Sequence, residues 1–124
     1  MSMSFMEELG GMDELLHEVY REFREGLPAR VAQMRTALET LAGGYEPGAT
    51  EVFYRTAHSL KGAAPSFGAE QLVDPAAALA ETGRRWFEGG FVDDEGLSAA
   101  FQDLGELDEA VERYVREMEG GAGE

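Results

Sequence analysis

Between Met12 and Ala42 the apolar residues Leu16, Val19, Phe23, Leu27, Val31, Met34, Leu38 and Leu41 recur every three or four positions. A helix of 3.6 residues per turn collects such positions onto one face. A half-buried strand needs strict alternation, and no alternating run of strand length occurs in the chain. The helical period returns at Phe53, Ala57, Leu60 and Ala64, continuing toward Phe67. A third block, about Ala69 to Phe87, carries Leu72, Ala76, Leu79, Gly83 and Trp86. In the last, about Asp94 to Met118, Leu97, Leu104, Val111 and Met118 stand seven apart, with Ala100, Leu107 and Tyr114 as a companion row. That spacing suits helices crossing at a shallow angle.

Glycine and proline cut these blocks apart. Gly10-Gly11 precede the first and Gly43-Gly44 end it, and Ser4 to Leu9 reads as a separate short helix. Gly26 and Pro28 predict a kink or short break near Gly26, because proline removes a backbone donor and crowds the preceding turn. Tyr45 to Ala49 is a loop, and Thr50 is placed to cap a helix from about Glu51 to Ala64, ended by Pro65 and Gly68. Asp74-Pro75 reads as a cap and first helical residue, so the third helix is expected to restart at Pro75. Glu88-Gly89-Gly90 ends it. The acidic run Asp93-Asp94-Glu95 suits the start of the last helix. The fold class is all-α: an antiparallel four-helix bundle with one or more short additional helices. Residues 1–119 form one domain, and 120–124 read as a flexible tail.

Composition narrows the function. The chain has 25 acidic and 10 basic residues, a net charge of −15. Such a surface repels phosphate backbones and anionic lipid, so neither nucleic acid nor membrane is an expected partner; it suits a partner with a basic rim, or simply solubility. Without cysteine, thiolate chemistry and zinc-thiolate sites are excluded. No apolar run is long enough to span a bilayer, and the N-terminus lacks the basic start and apolar stretch of a signal peptide. A monomeric cytoplasmic protein is the default expectation. His17 and His58 lack HExxH-type spacing, so no metal site is read. Trp86 and Phe87 read as core or packing residues, and Arg84-Arg85 as a solvated pair or a contact for an acidic partner.

Chemistry enters at Ala57-His58-Ser59-Leu60-Lys61-Gly62-Ala63-Ala64. At about 100° per residue, His58 lies roughly 140° from the centre of the apolar stripe, so its imidazole points away from the core. Lys61 and Gly62, three and four residues on, are its neighbours on the helix surface. A neutral imidazole nitrogen is a nucleophile near neutral pH and can accept a phosphoryl group. An ammonium at Lys61 offsets charge on phosphoryl oxygens, and Gly62 leaves room for the group and for an in-line approach by a second protein. Mid-helix glycine costs about 1 kcal/mol against alanine, so a reason for it is expected.

This run, with Phe67-Gly68-Ala69 after it, resembles the signature of histidine phosphotransfer (HPt) domains, the helical-bundle carriers of bacterial phosphorelays and the phosphoacceptor domain of chemotaxis kinases. Phe23, Leu27-Pro28, Met34 and Ala37-Leu38 look like the family's preceding helix, so the resemblance covers about Met12 to Trp86. It implies a phosphocarrier rather than an enzyme. His58 is the phosphoacceptor, through Nε2; Lys61 stabilises phosphoryl charge; Gly62 is the small residue beside the histidine. Receiver domains of response regulators dock over the exposed helix face, for which Tyr54, Arg55, Ser59, Pro65 and Ser66 are the candidate contacts, and a histidine kinase or hybrid kinase lies upstream. No cofactor is implied, since magnesium belongs to the receiver's aspartate pocket. ATP machinery is likewise not implied, and the chain has no Gly-rich phosphate loop.

Two positions depart from the pattern. Pro65 stands where the family usually has a small, helix-compatible residue. Some members carry a carboxylate twelve residues after the motif glycine that bonds to the histidine; counting from Gly68 gives Ala80, with Glu81 next. One residue turns a side chain by about 100°, so Glu81 reaches His58 only if the irregularity at Asp74-Pro75 restores the register. These departures leave two alternatives: a bundle that docks receivers or kinases without being phosphorylated, and the phosphoacceptor domain of a larger histidine kinase.

Overall fold

The computed structural model describes the backbone of residues 2–122 and the side chains of residues 13–120. Four α-helices carry the fold: α1 (Ser2–Ala42), α2 (Pro47–Ala63), α3 (Val73–Gly89) and α4 (Asp94–Ala122). Two 3₁₀ turns, Ala64–Phe67 and Glu70–Leu72, join α2 to α3. Each helix packs on two neighbours, in the cyclic order α1, α2, α3, α4. Short connections make consecutive helices antiparallel. No strand occurs among the described residues, and no helix there is long and apolar enough to cross a membrane.

The predicted stripes meet in one core. Phe23, Leu27, Val31, Met34, Leu38 and Leu41 of α1 are buried together with Phe53, Ala57 and Leu60 of α2. Leu72 leads into α3, which adds Ala76, Leu79 and Trp86, and α4 adds Ala100, Leu104, Leu107, Val111 and Tyr114. Thr50 and Thr82 are the buried polar side chains among the described residues.

Several boundaries differ from the sequence expectations. Helix α1 runs unbroken through Gly10-Gly11, Gly26 and Pro28, so Ser4 to Leu9 is part of it rather than a separate helix. Interior proline costs about 3 kcal/mol. Burying a large aliphatic side chain contributes about 1.5–3 kcal/mol, and Leu27 and Val31, on either side of Pro28, are both buried. Packing therefore outweighs the local defect.

The cap of α2 is Glu46, not Thr50. Its carboxylate accepts from the amides of Gly48 (2.9 Å) and Ala49 (2.6 Å), and Pro47 takes the first helical position. Thr50 is already inside the helix, and its hydroxyl donates to the Glu46 carbonyl at 2.8 Å. Helix α3 begins at Val73, so Asp74 lies in its first turn instead of capping it. Pro75 is tolerated there because first-turn amides have no partner within the helix. Gly90, at φ +72°, closes α3, donating its amide to the Trp86 carbonyl at 2.8 Å. The predicted glycine tail is helical through Ala122; Gly123 and Glu124 lie outside the described residues.

Candidate functional site

Helix α2 presents the site. Phe53, Ala57, Leu60 and Ala64 are fully buried, which fixes the rotation of the helix. His58 follows Ala57 by about 100° and is therefore exposed. Lys61 and Gly62 are exposed one turn on. A Cβ built on Gly62 meets nothing within 4 Å, so the space beside the imidazole is open. The 3₁₀ turn at Ala64–Phe67 then bends the chain away, closed by Gly68 at φ +67°, a conformation that suits glycine. Pro65 lies in the first positions of that turn instead of continuing α2, and it is exposed together with Ser66.

Two tyrosines hold this turn against the bundle. Tyr20 donates its hydroxyl to the Ser66 carbonyl (3.2 Å), and Tyr114 donates to the Phe67 carbonyl (2.7 Å). Phe67 stacks on Phe23 with ring centroids 4.2 Å apart. The end of the histidine helix is thus anchored to both α1 and α4.

The flank toward α3 is aromatic and charged. The Tyr54 ring lies 5.9 Å from the His58 ring and 5.9 Å from that of Phe87. Phe87 is exposed and packs against Tyr54 at the surface, not in the core; of the two, Trp86 alone is buried, and its indole N–H donates to Asp93 at 2.9 Å. Adjacent residues on a helix diverge by about 100°, which was the available signal that both could not face one core. Close approach of α3 to α2 sets this flank: a Cβ on Gly83 would stand 2.9 Å from the Tyr54 Cα.

Glu81 and Arg84 complete the surroundings. Arg84 donates through Nε (3.1 Å) and a terminal nitrogen to Glu81, and through its other terminal nitrogen to Glu88 at 2.7 Å. These bonds, that to Glu81 foremost, raise the Arg84 pKa further above its ordinary value. The bond from Arg84 is also the largest cause that lowers Glu81, and the charges of Arg84, Arg85 and Lys61 add to it. Both Glu81 oxygens thus serve Arg84, and among the described residues no hydrogen bond joins Glu81 to His58. Ala80, the position reached by the twelve-residue count, is buried. Arg84-Arg85 is not simply solvated: Arg84 sits in this network, and Arg85 lies 3.8 Å from Asp93.

The remaining candidates spread along α2. Arg55 is exposed and paired with Glu51 at 2.8 Å within the helix. Ser59 borders a shallow depression shared with Arg30, Gln33, Arg55 and Thr56. Among the described residues no three His, Asp or Glu side chains gather as a metal site would require.

The geometry is that of a nucleophilic nitrogen displayed on a convex helix face, with a cation and a vacant position one turn away. Searches among curated proteins and solved structures found no match to the chain. The family model for the Hpt domain matches residues 18–117, which takes in α2, α3 and most of α1 and α4. With the match spanning most of the chain, and the outward histidine on the second helix of the bundle, the chain belongs to the Hpt domain family, whose members are histidine phosphocarriers of phosphorelays.

Proposed function

We propose that this chain accepts a phosphoryl group on Nε2 of His58 and passes it to or from the aspartate of a response-regulator receiver domain. The observation that carries this reading is the exposed imidazole beside the open space over Gly62. With its proton on Nδ1, the ring offers the Nε2 lone pair to phosphorus. The N–P bond forms as the bond from phosphorus to the aspartyl oxygen breaks, and the carboxylate leaves with the electron pair. Lys61 offsets charge on the phosphoryl oxygens, and Gly62 keeps the line of approach clear. Magnesium belongs to the receiver. Tyr54, Arg55, Ser59, Pro65 and Ser66 form the docking rim, and a histidine or hybrid kinase feeds the relay. Glu81 orients His58 only if Arg84 releases it.

The test is incubation with a phosphorylated receiver domain. The expected product is an acid-labile, base-stable phosphate mapped to His58 by mass spectrometry under non-acidic conditions. His58→Gln should abolish labelling while helicity and melting stay those of the parent. Labelling retained in that variant moves the site elsewhere. Receiver binding without phosphoryl incorporation into the parent chain supports the non-phosphorylated docking module instead.

A further inference from the structure

The core seam of α1 outruns the bundle. Buried at Phe23, Leu27 and Val31, the same face continues toward the N-terminus as Val19 and Leu16, which are 46% and 50% exposed, with Leu15 beside them at 63%. The antiparallel register explains why nothing among the described residues covers it. Arg35 pairs with Asp108 at 3.7 Å, and Pro28 lies beside Val111 and Val115. In that register the end of α4 comes level with the Tyr20–Arg21 turn. Among the described residues, Tyr20 is also the last α1 side chain tied to the turn after α2. Residues 13–19 therefore project about 10 Å beyond the packed bundle. A groove remains between this projection and the end of α4, lined by Leu16, His17 and Tyr20 on one side and Glu117 and Met118 on the other.

Charge selects the occupant. The segment of α1 and the end of α4 that line this groove set Asp13, Glu14, Glu18 and Glu117 against the two cations Arg21 and Arg24, a net acidic border on a chain of net charge −15. A second copy would bring two such acidic segments together, which is unfavourable. A helix with a leucine-type ridge and lysine or arginine on its flanks meets both the apolar seam and the acidic border. We infer that the projecting seam of α1, Leu15, Leu16 and Val19 with Met118 of α4, is a docking site for a basic amphipathic helix of a partner protein, separate from the His58 face.

The probe is a synthetic amphipathic peptide of about 20 residues, long enough to span the projection, with leucines on one face and lysines flanking them. Its twin carries glutamates in place of the lysines. The full chain should bind the lysine peptide with an affinity that falls as salt rises, and should not bind the twin. The variant Leu16→Glu/Val19→Glu should bind the lysine peptide about 10-fold more weakly or worse, and Leu16→Ala/Val19→Ala should weaken it in the same direction. Added carboxylates strengthen purely non-specific attraction, so binding that stays equal or tightens in the glutamate variant overturns the inference. Failure of the lysine peptide to bind, equal binding of the twin, or a parent chain that light scattering shows to be a dimer broken by these substitutions also overturns it. Phosphoryl incorporation at His58 should be unchanged in both variants, which keeps this inference separable from the proposed function.

Discussion

A Cβ placed on Gly83 would stand 2.9 Å from the Tyr54 Cα and 3.1 Å from Phe53 Cδ1, so α3 reaches α2 this closely because residue 83 has no side chain. The first contact is backbone, which cannot swing aside as a flexible side-chain end could. Gly83→Ala should therefore push the helices apart. Overpacking costs about 1–3 kcal/mol, partly offset by about 1 kcal/mol of improved helix propensity. Denaturant unfolding should show a net loss of stability, larger still for Gly83→Val. A Gly83→Ala variant as stable as the parent would refute the close approach.

Gly62 should respond in the opposite way. With open space beside it, Gly62→Ala should raise stability by up to about 1 kcal/mol. Gly62→Leu should fold equally well yet slow transfer from a phosphorylated receiver about 10-fold or more, because small displacements of reacting groups are costly. Comparing thermal melts with labelling rates separates the two effects. Unimpaired transfer in the leucine variant removes the steric role assigned to this position.

Tyr114 holds the turn that follows the histidine helix by donating to the Phe67 carbonyl at 2.7 Å. Tyr114→Phe should cost about 1 kcal/mol at neutral pH. Burial pushes the phenol above its ordinary pKa. The unfolded chain therefore releases this proton first, and stability falls as pH rises through the unfolded value toward the folded one. Alkaline unfolding curves should decline less steeply for Tyr114→Phe than for the parent, and parallel declines would contradict this.

Asp93 links α3 to α4, accepting from the Trp86 indole (2.9 Å) and from the Gly96 amide (2.9 Å). The Trp86 bond foremost, then the Gly96 bond, holds its carboxyl below the ordinary range. Its contribution is present in full above the unfolded value and is lost as pH falls through the lowered folded value. Asp93→Ala should melt several degrees lower than the parent at neutral pH. The gap should shrink on acidification through that window, and a gap independent of pH would show that the carboxylate charge plays no part.

The four helices and most core residues could be read from the sequence because helical periodicity is a local property, repeated over many residues in α1, α2 and α4. The outward setting of His58 followed from the same phase, since Phe53, Ala57 and Leu60 fix which way α2 faces. Boundaries were less legible. Pro28 and Gly26 carry strong local preferences, but the buried Leu27 and Val31 overrule them. Glu46 outcompeted Thr50 as a cap because its carboxylate accepts two amides at once.

What the sequence by itself determined is the helical class, the rotation of α2 and the trio His58, Lys61 and Gly62 on one exposed surface, all set by spacing within a single helix. Tertiary structure alone decided what stands around that trio. The exposed Phe87 ring lies beside Tyr54, and α1 projects past the end of α4. These outcomes depend on the register and separation of different helices. Those are set by which side chains interlock across the interface, such as the absent one at Gly83, and no periodicity along one segment encodes them.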